Sequence, residues 1–214
     1  LNISLDTLNK DRFMLLTKRD QYVLVRNNID LMIKAGIHVK LNAVIMKGIN
    51  DDEINDFIEL TKELPVHVRF IEFMPFTGNQ WNSDKVFTLQ QMLDAISANY
   101  EYTPLERENH DTAKKFKVKS YEGTFAVIST MSAPFCGDCN RMRLTADGKM
   151  KNCLFSQTET DLLTPFRNGE DIVPLIYQSI RDKKKALGGQ FTVEDLEKIE
   201  SSKLENRSMI TIGG

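Results

Sequence analysis

Cysteine, histidine and tryptophan are scarce in this sequence of 214 residues, which holds three cysteines, three histidines and one tryptophan. Because three is an odd number, the cysteines cannot form a complete disulfide framework, and we expect a reducing compartment. Neither sign of charge dominates, since 28 Lys and Arg stand against 30 Asp and Glu. This balance argues against a general binder of nucleic acid or membrane surfaces, which would carry excess positive charge.

Long apolar runs are also missing. No stretch approaches the roughly 20 apolar residues that a membrane-spanning helix needs, and the first residues lack the basic start and apolar run of a signal peptide. We find no internal repeat, and 41% hydrophobic residues suffice for one large or two small domains with a core. The chain begins inside a predicted strand without an initiator Met, so we expect a part of a longer protein.

The first two thirds of the chain alternate strand and helix patterns. β-Branched and apolar residues predict strands at 2–5, 37–46 and 66–74. Apolar residues at helical spacing predict a helix from Tyr22 to Ile33 and another after Asn50. Asn50 and Glu53, three residues apart, resemble a capping box at the start of that second helix. This order is typical of a parallel sheet covered by helices, either doubly wound or a barrel.

The pattern changes at Thr88, which is predicted to cap a helix. Two short strands are predicted around a turn at 122–123, and a second hairpin over 141–153. The last convincing helix is predicted at 172–185. We interpret its lysine run, 183–185, as a solvated helix face.

Polar side chains interrupt the predicted strands. They are Asn2, Ser4 and Asp6 on the first strand, Lys40 and Asn42 on the second, and Arg69 on the third. Because side chains alternate between the faces of a strand, members of each set share one face. Buried polar groups need partners. Those partners can be a ligand in a barrel mouth, the other members of the set, or water at a sheet edge, and these alternatives stay open.

All three cysteines lie in the stretch PFCGDCNRMRLTADGKMKNCL, at 134–154. Cys136 and Cys139 form a C-x-x-C, and Cys153 follows across the predicted hairpin, a geometry that can bring three sulfurs together. A redox pair, a structural zinc, unliganded cysteines and an iron–sulfur cluster all remain open. A redox pair needs a following helix, and zinc prefers four ligands although no histidine lies nearby. A cluster with three protein thiolates and one open iron is the favoured chemistry.

Several segments together resemble one known family. ISLDTL, KLNAVIMKGIND, VRFIEFMPF, FCGDCNRMRLTADGKMKNCL and a terminal Gly-Gly occur in the order and spacing of the molybdenum cofactor biosynthesis protein A family, the radical S-adenosylmethionine (SAM) GTP 3′,8-cyclases. The resemblance covers almost the whole chain. It implies an α/β fold, with the C-terminal half of an incomplete TIM-type radical SAM barrel at 1–87. A C-terminal iron–sulfur extension with short antiparallel strands is implied at 88–214.

The resemblance also implies site residues. Cys136, Cys139 and Cys153 would hold the family's C-terminal, auxiliary 4Fe-4S cluster. Arg141, Arg143, Lys40 and Arg69 would bind the substrate, and Ser4 and Met74 would contact S-adenosyl-L-methionine. Gly213 and Gly214 would take part in catalysis, because the family's tail is thought to insert toward the active site.

Two departures from the family limit what this chain can do alone. The family's C-x-x-x-C-x-x-C motif, which binds the radical-generating 4Fe-4S cluster, is missing, and so is the glycine-rich stretch that holds the methionine part of SAM. A histidine expected near Leu187 is missing as well. We therefore expect the GTP-binding, second-cluster part of an enzyme that converts GTP to (8S)-3′,8-cyclo-7,8-dihydroguanosine 5′-triphosphate, inactive by itself. The alternative is a non-catalytic iron–sulfur or zinc module that binds a nucleotide.

The resemblance also implies partners and a location. GTP and SAM are the expected ligands, the chain is expected to form a homodimer, and a cyclic pyranopterin monophosphate synthase would act on the product. Nucleic acid and membranes are not expected partners. The expected location is cytoplasmic, or the mitochondrial matrix in a eukaryote.

Overall fold

A computed structural model of the chain describes residues 1–199 and 206–209. These residues form a mixed α/β structure with a six-stranded sheet and a three-stranded sheet. The chain divides into two compact units, Leu1–Phe73 with Lys85–Ala133 and Met74–Asp84 with Pro134–Gly214. The predicted boundary after residue 87 concerns functional parts of the family's enzyme and stays a prediction. In the described residues no helix has the length and apolar character needed to cross a membrane.

The large sheet belongs to the first unit. Its strands are β1 (Asn2–Ser4), β2 (Lys40–Ile45), β3 (His67–Glu72), β4 (Tyr102–Pro104), β5 (Lys114–Val118) and β6 (Thr124–Ile128), in the order β1-β2-β3-β6-β5-β4. Strands β1, β2, β3 and β6 run parallel to one another, whereas β5 is antiparallel to β4 and β6. The predicted parallel sheet is confirmed, and the predicted hairpin around 122–123 extends it.

Four helices accompany this sheet: α1 (Lys10–Thr17), α2 (Tyr22–Lys34), α3 (Ile54–Glu63) and α4 (Leu89–Ser97). Helix α1 is not apparent from the sequence, because Phe13 is its one buried residue and no apolar period results. Its start is set locally by Asn9, whose side chain accepts hydrogen bonds from the amides of Asp11 and Arg12.

The predicted capping box of Asn50 and Glu53 is wrong. The Asn50 carboxamide is used inside the fold, where it accepts from the Met46 amide at 2.7 Å and donates to the Asp6 and Val44 carbonyls. Glu53 is buried and accepts from the Thr7 hydroxyl at 2.6 Å. The complete capping box is instead at α4, where Thr88 and Gln91 satisfy each other's backbone amides.

Strands β2 and β3 alternate strictly between buried and half-buried residues. Their buried positions join a core that includes Phe57, Phe70 and Phe125, each fully buried. Burying a side chain of this size contributes roughly 1.5–3 kcal/mol. The alternation leaves Lys40, Asn42, His67 and Arg69 together on the opposite face, which matters for the site.

The second unit contains the cysteine segment. Its elements are β7 (Arg143–Leu144), β8 (Lys149–Lys151), β9 (Thr160–Asp161), α5 (Leu163–Arg167) and α6 (Val173–Arg181). The hairpin between β7 and β8 turns through Gly148, which has a φ of 74°. Strand β7 is shorter than the predicted strand, and α6 ends at Arg181 rather than at residue 185.

Candidate functional site

A polar face lies on the parallel sheet of the first unit. Lys40 pairs in register with His67, and Asn42 with Arg69, on neighbouring strands. The Arg69 guanidinium donates to the Asn42 carboxamide at 2.7 Å and to the Asn2 carboxamide at 2.7 Å. The interpretation that these polar groups pair with one another is therefore confirmed for Arg69 and the two asparagines.

Electrostatics distinguish the groups of this face. Burial lowers the pKa of Arg69 from its ordinary value. The pKa of His67 falls to about 4, first because of burial and then because of the neighbouring charges of Arg69 and Lys40. The neutral ring is held by a 2.7 Å hydrogen bond between its Nδ1 and the Thr124 hydroxyl. Two cations beside a neutral histidine favour an anionic ligand.

The predicted SAM contacts belong to different units. Ser4 is exposed on β1, in register with Asn42. Met74 begins the short segment of the second unit, and its carbonyl accepts from the Asn79 carboxamide at 2.8 Å. Their role in binding SAM stays a prediction.

The three cysteines lie in the second unit, and all are half-buried free thiols. Cys136 begins a single 3₁₀ turn, and the Cys139 amide closes it by donating to the Cys136 carbonyl at 3.3 Å. Cys153 comes two residues after β8. The absence of a helix after Cys139 confirms the argument against a thioredoxin-like site, which needs a helix N-terminus at this position.

The surroundings of Cys136 change the pKa of its thiol. Burial raises the pKa of Cys136, and negative charge on Cys153 or Cys139 raises it further, whereas the Leu187 amide and the Lys183 ammonium lower it. Within the described part of the chain, however, no three His, Cys, Asp or Glu side chains form a group arranged to hold a metal ion. The donor chemistry, three thiols, fits an iron–sulfur cluster better than a four-ligand zinc site.

Lys183 contradicts the interpretation of the lysine run as a solvated helix face. It lies beyond the end of α6 and is half-buried, whereas Lys184 and Lys185 are exposed. Its ammonium donates to the carbonyls of Arg141 and Asn152, each at 2.7 Å, and lies 3.8 Å from the Cys139 sulfur. The run of three identical residues gave no signal that one of them differs.

The two arginines do not share a strand. Arg143 begins β7 and pairs with Lys151, but Arg141 precedes the strand and is exposed. The argument that strand alternation points both guanidiniums to one side is therefore wrong, because pairing with β8 begins only at Arg143. Their role as substrate-binding residues stays a prediction.

Residues 206 and 207, which precede the terminal glycines, contact the β7–β8 hairpin and the residues after it. Buried Lys151 donates to the Asn206 carboxamide at 3.1 Å, and Asn206 donates to the Leu154 carbonyl at 3.0 Å. Arg207 forms a forked pair with Asp147 at 3.0 and 2.7 Å. Gly213 and Gly214 lie outside the described residues.

Leu187, near which a histidine was expected, borders the thiols. Its side chain is buried, and its backbone lowers the pKa of Cys136. It also lines a cavity of about 490 Å³ with Pro134, Lys184, Lys185 and Gln190 among others. The departure from the family therefore falls beside the thiol site.

Comparison with known proteins identifies the family. The profile of the Molybdenum Cofactor Synthesis C family matches residues 66–188. The chain is 41% identical over 219 residues to the protein named GTP 3′,8-cyclase, mitochondrial, of Arabidopsis thaliana, covering 100% of this chain and 54% of the relative. It is 39% identical over 217 residues to molybdenum cofactor biosynthesis protein 1 of Homo sapiens, covering 99% of this chain and 33% of the relative.

A bacterial relative agrees. The chain is 36% identical over 219 residues to the GTP 3′,8-cyclase of Listeria monocytogenes, covering 100% of this chain and 65% of the relative. The chain thus spans between a third and about two thirds of the length of these relatives. Because the family profile covers more than half of the 214 residues, the chain belongs to the Molybdenum Cofactor Synthesis C family.

Proposed function

We propose that this chain is the substrate-binding and second-cluster part of a radical SAM GTP 3′,8-cyclase. The observation that carries the proposal is the thiol site: Cys136, Cys139 and Cys153 are half-buried free thiols on either side of the β7–β8 hairpin, and Arg141 and Arg143 follow the C-x-x-C in the chain. Relatives from a plant and a bacterium bear the name GTP 3′,8-cyclase. The net reaction would join the ribose C3′ of GTP to guanine C8.

Each predicted group has a physical task in this proposal. The three thiolates would hold a 4Fe-4S cluster, which supplies an iron with an open position for a substrate atom. The guanidiniums of Arg141 and Arg143 suit phosphate oxygens through forked hydrogen bonds. The protein's contribution is positioning and neutralisation of charge, and the cofactors carry the difficult bond formation.

The polar face of the first unit would contribute further contacts. Lys40 and Arg69 suit the triphosphate, and Arg69 is already oriented by Asn2 and Asn42. Pre-oriented donors bind with less loss of side-chain entropy. The parallel strands β1, β2, β3 and β6 would form part of the family's barrel, and Ser4 and Met74 would contact SAM. The terminal Gly213 and Gly214 would approach the ligand closely because they lack side chains.

The test is anaerobic reconstitution of the full chain with iron and sulfide, followed by iron analysis and a GTP titration. We expect about four irons per chain, lost in Cys153→Ala, and weaker GTP binding in Arg141→Ala. Arg167→Ala, which removes an exposed arginine at the end of α5, is the matched control and should bind GTP normally. A chain that binds zinc or no metal, and that does not bind GTP, would instead be a structural or binding module.

A second expectation concerns SAM. The 214 residues contain no cysteine besides the three proposed ligands, so they cannot supply thiols for the family's radical-generating cluster. We therefore expect the reconstituted chain to form no 5′-deoxyadenosine under reducing, anoxic conditions. Formation of this product by the purified chain would contradict the assignment of these residues to the substrate side.

A further inference from the structure

Lys183 occupies a special position between the two thiol-bearing segments. Arg141, whose carbonyl it contacts at 2.7 Å, comes two residues after Cys139. Asn152, whose carbonyl it also contacts at 2.7 Å, immediately precedes Cys153. With the Cys139 sulfur at 3.8 Å, the three ammonium hydrogens have three acceptors. One side chain thereby links segments that are separated by the β7–β8 hairpin.

Helix α6 anchors this link. The Asn152 carboxamide donates to the Ser179 carbonyl of α6 at 2.9 Å. Asn152 and Ser179 are buried, with exposures of 6% and 3%. Asn152 is therefore held to α6 through its side chain and to Lys183 through its carbonyl. Helix α6 and the residue just beyond it act together as a support for the peptide that carries Cys153.

The charge of Lys183 adds a second effect. Three thiolates on a cluster concentrate negative charge, and hydrogen bonds and positive charge near the sulfurs raise the reduction potential of such clusters. The same ammonium holds the carbonyl of Arg141, so it also restrains the backbone from which a proposed substrate guanidinium extends. Groups of this kind around ligands typically affect metal affinity by 10–100-fold.

We propose that Lys183 is a positioning residue of the thiol site, which holds the Arg141 and Asn152 segments together and offsets the charge of a cluster bound by Cys136, Cys139 and Cys153. The charge-offsetting role rests on the proposed function. The bracing role does not, because the hydrogen bonds belong to this chain alone.

The experiment compares Lys183→Met with Lys185→Met in the full chain. Lys185 is an exposed neighbour, so its substitution removes the same charge but leaves the hydrogen bonds of Lys183 in place. Before reconstitution, hydrogen exchange of peptides covering 139–153 should be faster in Lys183→Met and unchanged in Lys185→Met. After reconstitution, Lys183→Met should lose iron to a chelator on the order of 10-fold faster, show a more negative cluster potential, and bind GTP more weakly.

Lys183→Gln separates the two effects and serves as the second variant should Lys183→Met fold poorly. Its carboxamide still donates hydrogen bonds but carries no charge, so exchange should remain slow while the potential falls. If wild type binds neither iron nor GTP, the proposed function fails. Hydrogen exchange alone then decides whether Lys183 holds the two segments together. If wild type binds both and Lys183→Met matches Lys185→Met in every measurement, the Lys183 proposal is overturned and the proposed function stands.

Discussion

Glu72 is a carboxylate with no solvent exposure in the first unit. It accepts from the amides of Leu89 at 2.8 Å, Met131 at 2.7 Å and Ser132 at 2.9 Å. Glu72→Ala would leave the amides of Met131 and Ser132 without this acceptor, which we expect to lower the free energy of unfolding by about 2–4 kcal/mol. Urea denaturation measures the change.

The matched control for Glu72 is Glu101→Ala in the same unit. Glu101 pairs with Lys119, and both side chains are about three-quarters exposed, so its loss should change stability by less than about 1 kcal/mol. Equal effects of the two substitutions would show that the hydrogen bonds of Glu72 do not support the fold.

His67 makes stability depend on pH. Its folded pKa of about 4 lies below the ordinary value of 6.5, so the unfolded chain binds a proton more readily than the folded chain. The contribution of His67 to the free energy of unfolding is therefore fully present above pH 6.5 and is lost as pH falls toward 4. Because the ring is partly exposed, we expect a slope below the limit of about 1.4 kcal/mol per pH unit.

His67→Gln should flatten this dependence between pH 6.5 and 4. The measurement is urea denaturation of both proteins across this range, with the difference between them isolating His67 from other titrating groups. Parallel curves would mean that the His67 ring takes up a proton equally well in the folded and the unfolded chain.

At the scale of elements, Gly123 determines how closely the turn before β6 can approach the turn before β3. A Cβ at this position would lie 2.3 Å from the Val66 carbonyl oxygen and 2.8 Å from that of Leu64. The amides of Gly123 and Thr124 also donate to carbonyls of Thr61 and Val66, so the backbone cannot move without losing hydrogen bonds. Gly123→Ala should destabilise by about 1–3 kcal/mol.

Gly137→Ala is the control for Gly123, because a Cβ there would meet no atom within 4 Å. Thermal unfolding of both variants measures the contrast. A melting temperature for Gly123→Ala as high as that for Gly137→Ala would contradict the close approach.

The C-terminal segment is attached to the β7–β8 hairpin by Arg207. Its forked pair with Asp147 keeps the pKa of that carboxyl well below its usual range, so the pair persists in mild acid. Arg207→Met should accelerate hydrogen exchange of a peptide covering 206–209. Lys198→Met, which removes an exposed lysine paired with Asp195, should leave that peptide unchanged.

At the scale of the molecule, the large sheet ends at β1 and β4, each three residues long. The first unit also exposes large apolar side chains, among them Leu15 at 65% and Leu24 at 57%. Open strand edges and apolar surface promote association. We expect light scattering of the 214-residue chain to give a mass that rises with concentration above 24.5 kDa.

A charge on the apolar surface should oppose this association. Leu24→Lys should lower the apparent mass, whereas Leu144→Lys, at an equally exposed position in the second unit, should not. A constant monomer mass for the unmodified chain would contradict the expectation, and with it the predicted homodimer.

Local signals in the sequence were sufficient for several features. The parallel strands follow from runs of β-branched and apolar residues, the cap at Thr88 acts on a residue only three positions away, and the cysteine spacing already favoured a cluster with three thiolates. The family itself is recognisable from motifs that are contiguous in the chain. Each of these depends on residues that are close together in sequence, so no knowledge of the fold is needed.

Other features depended on the tertiary structure. Lys183 meets Arg141 across 42 positions of sequence, and Glu72 meets Ser132 across 60. Nothing in the lysine run distinguishes Lys183 from the exposed Lys184 and Lys185. Asn50 and Glu53 carry a local capping pattern, yet their side chains form hydrogen bonds with the distant residues Asp6 and Thr7. Local patterns thus suffice for the strands, the thiol motif and the family. Which polar side chains are buried follows from packing, because burial depends on which distant segments meet.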